Sequence, residues 1–371
     1  MKSKEYHRVK YLLLAVDLAL SIAFLVTLQA SGLSLTLQTA AVSRAPSAWL
    51  AVLIYMTCFF NLYTLVSLPT HFISSFVVEK KFNLSNQKLG AWLKDEIKKY
   101  ALSFAFFIIT VEFFYGMVQA LPHGWWIAAS IGWLFLTLFL SRILPTVLIP
   151  IFYPVKALPA GELKEKLFGL CRRCGIKVLD IYEIALSKKT KRANAALVGI
   201  GRTRRVILGD TLLGSYDPPE IEMVVAHEIG HHAKKHIAKS LTLNFVITFA
   251  GFYLLYLLSE TLVRFLGGEG LTDLFLFPSL ALLSLLGGLL ILPLQNGFSR
   301  YHENEADCFA LEVIPREDVF ISLMNKLGSQ NLADLSPHPW VEFFLYDHPS
   351  ISNRLRNASR FLKKDLQRPH P

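Results

Sequence analysis

LTLNFVITFAGFYLLYLLSETLVRF, residues 241–265, carries no charged side chain in its first nineteen positions. At 1.5 Å rise per residue, a helix of that length crosses the ~30 Å hydrocarbon core of a bilayer. Working outward, five more runs of this kind occupy residues 11–30, 49–69, 100–120, 125–149 and 274–294. The whole chain of 371 residues is 53% hydrophobic and 18% charged, too apolar for an ordinary soluble enzyme. The expected fold is therefore mainly α, a polytopic membrane protein with about six transmembrane helices.

The charge follows the spans. The formal net charge is +10, and 35 of the 38 Lys and Arg residues lie in residues 1–10, 71–99, 156–239 and 299–371. Six spans place all four segments on one side, and an excess of Lys and Arg marks the cytoplasmic face. The N-terminus, the long polar insertion and the tail are thus expected in the cytoplasm, and nucleic acid is not needed to explain the charge. The first span has a basic lead-in, but its apolar run exceeds that of a cleaved signal peptide and reads as a retained anchor. Asp17 and Glu112 fall inside spans, where a lipid-facing carboxylate costs on the order of 2.5 to 3.5 kcal/mol. They are expected to line a water-filled interior or to bond between helices.

Four regions result: 1–155, with four transmembrane helices; 156–240, a cytoplasmic α/β insertion; 241–298, with two more spans; and 299–371, a cytoplasmic helical region. In the insertion, residues 161–174 have a helical pattern, 193–198 and 205–208 read as strands, and 199–204 turn between them. Asp217-Pro218-Pro219-Glu220 supplies an N-cap, first-turn prolines and Glu at N3, the signature of a helix start. Cys171-Arg-Arg-Cys174 is a CxxC in a helix with no second pair, and reads as two ordinary cysteines.

The helix after Asp217 contains Val224-Val225-Ala226-His227-Glu228-Ile229-Gly230-His231-His232. Residues four apart are about 40° from one another around a helix, so His227 and His231 share a face and can hold one Zn²⁺ through imidazole nitrogens. Glu228 sits about 100° away, suited to taking a proton from a water at the metal without being a ligand. A catalytic zinc needs a third protein ligand and an open position. The metzincin continuation would put Gly at 234 and His at 237, but Lys234 and Ile237 stand there. Glu303, in Arg300-Tyr-His-Glu303-Asn-Glu305-Ala-Asp307, is the best third ligand. Asp307, one turn on, can accept a hydrogen bond from a ligating histidine and fix its tautomer. Glu305, about 200° from Glu303, reads as a solvated or structural carboxylate. His232 and His236 are about 140° and 180° from His227 and should point away from the metal, and His302 faces elsewhere. One zinc ion per chain is expected.

With these residues in order, the chain resembles the type I CAAX prenyl proteases, integral-membrane zinc endopeptidases. The similarity runs from about Leu68 to Phe361. It rests on Ser67-Leu-Pro69, Phe76-Val-Val-Glu79-Lys-Lys-Phe-Asn83, Lys94-Asp95-Glu-Ile-Lys98-Lys99, Leu148-Ile-Pro150, Asn194-Ala195, Gly209-Asp210-Thr211-Leu-Leu213, the two metal motifs, and His348-Pro349 with Arg354. The resemblance implies helices enclosing a water-filled chamber in the membrane, with a small cytoplasmic α/β zincin-like unit, a short hairpin plus the H-E-x-x-H helix, placing zinc at its cytoplasmic end. It implies Asn194 as a contact to substrate backbone, His348 as a donor to the oxyanion, and Arg354 in a supporting place. Substrates would be peptides or proteins, isoprenylated ones among them. The family's eukaryotic members have seven spans; six are counted here, with one fewer ahead of Leu68. The last residues, Gln367-Arg-Pro-His-Pro371, carry no retention signal, which points to a bacterial member.

The expected function is zinc endopeptidase activity on membrane-associated polypeptides. A membrane quality-control protease of broad specificity shares all this chemistry. A transporter or chaperone with structural zinc is a third reading, against which Glu228 stands, because a structural site needs no base.

Overall fold

The computed structural model describes residues 2–143, 147–199 and 201–365; the tail motif 367–371, with His370, lies outside the described residues. Helices α1 (Lys2–Ala30), α2 (Leu33–Arg44), α3 (Ala48–Phe72), α4 (Leu89–Ala120) and α5 (Trp125–Ile143) build the first part of the chain. A helix α6 (Glu162–Arg173) and α7 (Pro218–Ala233) belong to the insertion. Then follow α8 (His236–Phe265), α9 (Phe277–Val313), α10 (Glu317–Gln330), α11 (Pro339–Leu345) and α12 (Ile351–Asp365).

Among the described residues, six helical stretches are long and apolar enough to cross a membrane, as expected: Lys2–Ala30, Ala48–Lys81, Leu89–Ala120, Trp125–Ile143, His236–Phe265 and Leu274–Val313. Their outer faces are apolar, with Leu14, Leu65, Ile109, Phe135, Leu254 and Leu290 all exposed, a surface that only lipid satisfies. The fourth span is helical over Trp125–Ile143, residues 144–146 lie outside the described residues, and Ile149–Phe152 is again helical. Between the first two spans, α2 has only 12 residues and packs on α3, where Ser34 hydrogen-bonds the buried Tyr55 hydroxyl at 2.6 Å. Asp17 accepts a hydrogen bond from Thr70, so its burial is resolved by a bond between α1 and α3.

The four basic segments meet at one end of the helices. Glu79 is their knot: it accepts from Tyr6 at 2.7 Å, from Lys10 at 3.3 Å and from Arg192 at 3.0 Å. Ser3 donates to the Leu332 carbonyl at 3.0 Å, which brings the tail to the N-terminus.

The insertion is richer than a hairpin. Its sheet has four strands in the order β1 (Val155–Ala157), β2 (Asp180–Ile184), β4 (Arg205–Gly209), β3 (Ala195–Val198). The expected hairpin of β3 and β4 is antiparallel, but β2 adds to β4 in parallel and β1 to β2 antiparallel. Among these strands β3 is an edge. Behind the sheet, Leu167, Leu170, Cys171, Ile221, Val225 and Ile229 form the core with Phe320 and Leu323 of α10. Cys171 thus packs as an apolar residue, and burial pushes its thiol up to about 11.

Helix α7 starts as the sequence predicts. Glu220 accepts the Asp217 backbone N–H at 2.9 Å, and the same carboxylate receives Ser322 and Lys326 of α10, each at 2.7 Å. Burial opposes its charge, yet Lys326 and Ser322 hold it below the usual carboxylate range. Glu220→Ala is expected to cost about 1–3 kcal/mol, because it strands the Asp217 N–H and the Ser322 hydroxyl at one helix start and leaves Lys326 with Asp217 alone. Since the folded carboxyl titrates below its unfolded value, this contribution is complete above the unfolded value and fades as pH falls through the folded one. Thermal unfolding of the detergent-solubilised variant and parent from neutral pH downward should show two curves that converge in acid; a constant gap would exclude the charged bond as its source.

Candidate metal centre

The site forms where α7 crosses α9. The crossing is close because position 230 is glycine: a Cβ there would lie 3.1 Å from Ala306 Cα and 3.2 Å from Phe309 Cβ. That approach brings Glu303 and Asp307, one turn apart on α9, against His227 and His231, one turn apart on α7. All four sequence-predicted residues come together.

His227 Nε2 and His231 Nε2 are 3.1 Å apart. Glu303 Oε2 is 3.4 Å from His227 Nε2, and Glu303 Oε1 is 3.3 Å from His231 Nε2. Zinc bonds of ~2.0–2.1 Å in tetrahedral geometry put neighbouring ligand atoms about 3.3–3.4 Å apart, and the edge between the imidazoles and the edge from each imidazole to one of the two Glu303 oxygens are close to that spacing. The donor set also fits, two imidazoles and a carboxylate. Glu303 Oε2 is buried and has no hydrogen-bond partner, as a ligand atom would be.

Around the three lie their supports. His227 Nδ1 meets Asp307 Oδ1 at 2.9 Å, and Arg354 of α12 donates from Nε to Asp307 Oδ2 at 2.8 Å and from its terminal nitrogen to Oδ1. Burial works against a charge on His227, but the carboxylates of Asp307 and Glu303 raise it to about 10. A metal entering this site therefore displaces a proton. His348 lies on the bend between α11 and α12, with Nε2 3.3 Å from Glu303 Oε1. Its Nδ1 bonds Asp347 at 2.8 Å, which lifts the imidazole above its ordinary value. The bend itself is held from α9. Arg300 donates to the carbonyls of Glu342 at 2.8 Å and Tyr346 at 2.5 Å, and Asn296 to that of Phe344 at 2.7 Å.

Glu228 follows His227 on α7 and is half-buried. His232 does turn from the metal, and its Nε2 bonds the Leu197 carbonyl of β3 at 2.8 Å, fastening α7 to the edge strand. Asn194 is exposed just before β3, and its carbonyl accepts the Gly209 N–H at 2.9 Å. Three participants escaped sequence reasoning. Asp347 and Arg300 give no periodic signal. His236, expected to point away, reaches His231 Nδ1 at 3.0 Å through its own Nδ1.

Comparisons with known proteins identify the family of the chain. Residues 157–361 match the family described as Peptidase family M48, and residues 1–154 match the one described as CAAX prenyl protease N-terminal, five membrane helices. Within 1–154, four helices are long enough to cross a membrane, and α2 is a shorter fifth. The uncharacterized metalloprotease YhfN of Bacillus subtilis is 30% identical over 96% of this chain and 85% of its own. CAAX prenyl protease 1 of Saccharomyces cerevisiae is 29% identical over 80% of this chain and 69% of its own. Among solved structures, the crystal structure of S. mikatae Ste24p superposes with a TM-score of 0.86 at 24% identity, covering 96% of this chain and 88% of that one. A metal-fitting H-E-x-x-H helix on a bundle of apolar helices, with these matches end to end, makes the chain a multi-pass membrane metallopeptidase that belongs to Peptidase family M48.

Proposed function

We propose that the chain is a zinc endopeptidase of the CAAX prenyl protease type, which cleaves near the C-terminus of prenylated or other membrane-associated polypeptides. The observation that carries the zinc reading is the set of ligand–ligand edges at His227, His231 and Glu303, 3.1 to 3.4 Å. The names of the curated relatives support the substrate class.

In this reading zinc, when bound, supplies Lewis acidity: it polarises the scissile carbonyl and lowers the pKa of a water from 15.7 toward ~7. Glu228 takes the proton from the attacking water and returns it to the leaving nitrogen. His348, with Nδ1 tied to Asp347, presents Nε2–H to the charge that develops on the carbonyl oxygen. Asp307 and Arg354 keep His227 in the tautomer that offers Nε2. The substrate lies extended along β3. Gly209 bonds the Asn194 carbonyl, so Ala195 turns its N–H and carbonyl, and Leu197 its N–H, to the edge away from β4, where a peptide can pair as an added strand with Asn194 at its end; the Leu197 carbonyl is already held by His232. The basic end of the molecule faces the cytoplasm and carries the site, and the four regions 1–155, 156–240, 241–298 and 299–371 divide anchoring from catalysis.

Purified protein should hold one zinc per chain, and His227→Ala, His231→Ala or Glu303→Ala should release it. Glu228→Gln should keep zinc and lose at least about 10² to 10⁴-fold in kcat, the contribution of a positioned base. His348→Ala should keep zinc and lose about 10² to 10³-fold, that of one oxyanion donor. A Glu228→Gln enzyme with full zinc and near-normal hydrolysis would rule out this mechanism.

Matched farnesylated and unmodified peptides should be cleaved at different rates, with the lipidated one preferred, as read by mass spectrometry of the products. Equal rates would instead assign the chain to broad quality control. Lys177→Cys and Ser329→Cys, in a background without the native cysteines, should react with an impermeant reagent from the cytoplasmic side, and Glu269→Cys from the opposite side. Labelling of positions 177 and 269 from one side would break the six-span arrangement.

A further inference from the structure

We propose that His236 and Glu305 form a hydrogen-bonded chain that positions His231 for the metal, an inference that rests on reading His231 as a ligand. Helix α7 stops at Ala233, and Lys235 takes the left-handed conformation, φ 57°. The chain turns back there, so His236, the first residue of α8, returns over His231. Their Nδ1 atoms are 3.0 Å apart, while His231 Nε2 faces Glu303.

The protons can be assigned. A neutral histidine that gives its Nε2 lone pair to a metal carries its proton on Nδ1, so His231 donates and His236 Nδ1 accepts. His236 then carries its own proton on Nε2, where Glu305 Oε2 accepts at 3.2 Å. Lys239 donates to the same oxygen at 3.2 Å and completes the chain. Every nitrogen has one role and no two protons face each other. His236 is 3% exposed, so water does not compete for these bonds. Its plane is fixed by stacking: the His302 ring lies parallel at 4.1 Å and 9°, backed by Phe298 at 4.3 Å.

The same side chains invite another reading, since ligand atoms of His236, His302 and Glu305 lie within 4.8 Å of one another, and the buried His302 Nε2 has no partner. Two facts oppose a second metal there. Stacked parallel rings aim their lone pairs along parallel lines rather than at one point. A metal on His236 Nε2 would also move its proton to Nδ1, against the proton of His231.

The test measures metal affinity rather than turnover. Full-length protein in detergent, loaded with one equivalent of Zn²⁺, is titrated with a competing chromophoric chelator. His236→Leu should weaken zinc about 10–100-fold, the usual effect of removing such a support. His236→Asn, whose Oδ1 falls near the place of Nδ1 and accepts the same proton, should remain within about threefold of the parent. Should His236→Leu fail to fold by circular dichroism, His236→Ser, too short to reach His231, takes its place. Equal weakening by His236→Leu and His236→Asn, or none by either, would overturn the proposal, and so would two tightly held zinc ions per parent chain. His231→Ala is measured beside them. Its retention of zinc would show that the ligand assignment itself fails, whatever the His236 variants do.

Discussion

Asp307 is the carboxylate through which three helices hold one another. It sits on α9, binds His227 of α7 and receives both arms of Arg354 from α12. All three groups lie out of bulk water, where an ionic group stripped of its partner costs several kcal/mol. The set therefore forms whole or not at all, and it forms only when α12 has docked on α9. This ties a distant stretch of chain, beyond residue 350, to the orientation of a histidine at 227. The ligand geometry is in this sense a property of the assembled cytoplasmic end and not of the H-E-x-x-H helix alone.

The two histidines proposed as ligands differ in what stands behind them. His227 backs onto a charged carboxylate with its own guanidinium clamp, and His231 backs onto a neutral imidazole. A charged acceptor pulls harder on the Nδ1 proton and makes the other nitrogen a stronger donor. The two ligands are thus unequal in basicity by construction, although both come from one turn of one helix.

Much of this was legible because helices repeat. The spacing of His227 and His231, and of Glu303 and Asp307, puts each pair on one face whatever the rest of the chain does, and the apolar runs identify their spans by length. What was not legible depended on breaks in that regularity. His236 does point off the metal, but its wheel angle assumed a helix continuing from His227; Lys235 interrupts that helix, and the side chain returns to the back of His231. Strand β2, Asp180–Ile184, mixes two carboxylates into five residues and shows no clean alternation, because both its edges are paired and Lys156 and Lys164 neutralise its acids. Arg300 and Asp347 act through backbone carbonyls and a sequence neighbour, contacts that leave no periodic trace.

Helix α9 is both a membrane span and the carrier of Glu303. It runs unbroken over 37 residues, with Pro293 in its interior. From that proline to Glu303 is about 15 Å, so a change in tilt of roughly 5° would carry the carboxylate by more than ~1 Å. Metal sites tolerate about ±0.2 Å in ligand distance. Spans answer a thicker or thinner bilayer mainly by tilting. The close seat of Gly230 on Ala306 and Phe309 packs the last turns of α9 directly against α7. Bilayer thickness is thereby a mechanical load that the packing of α9 on α7 has to bear.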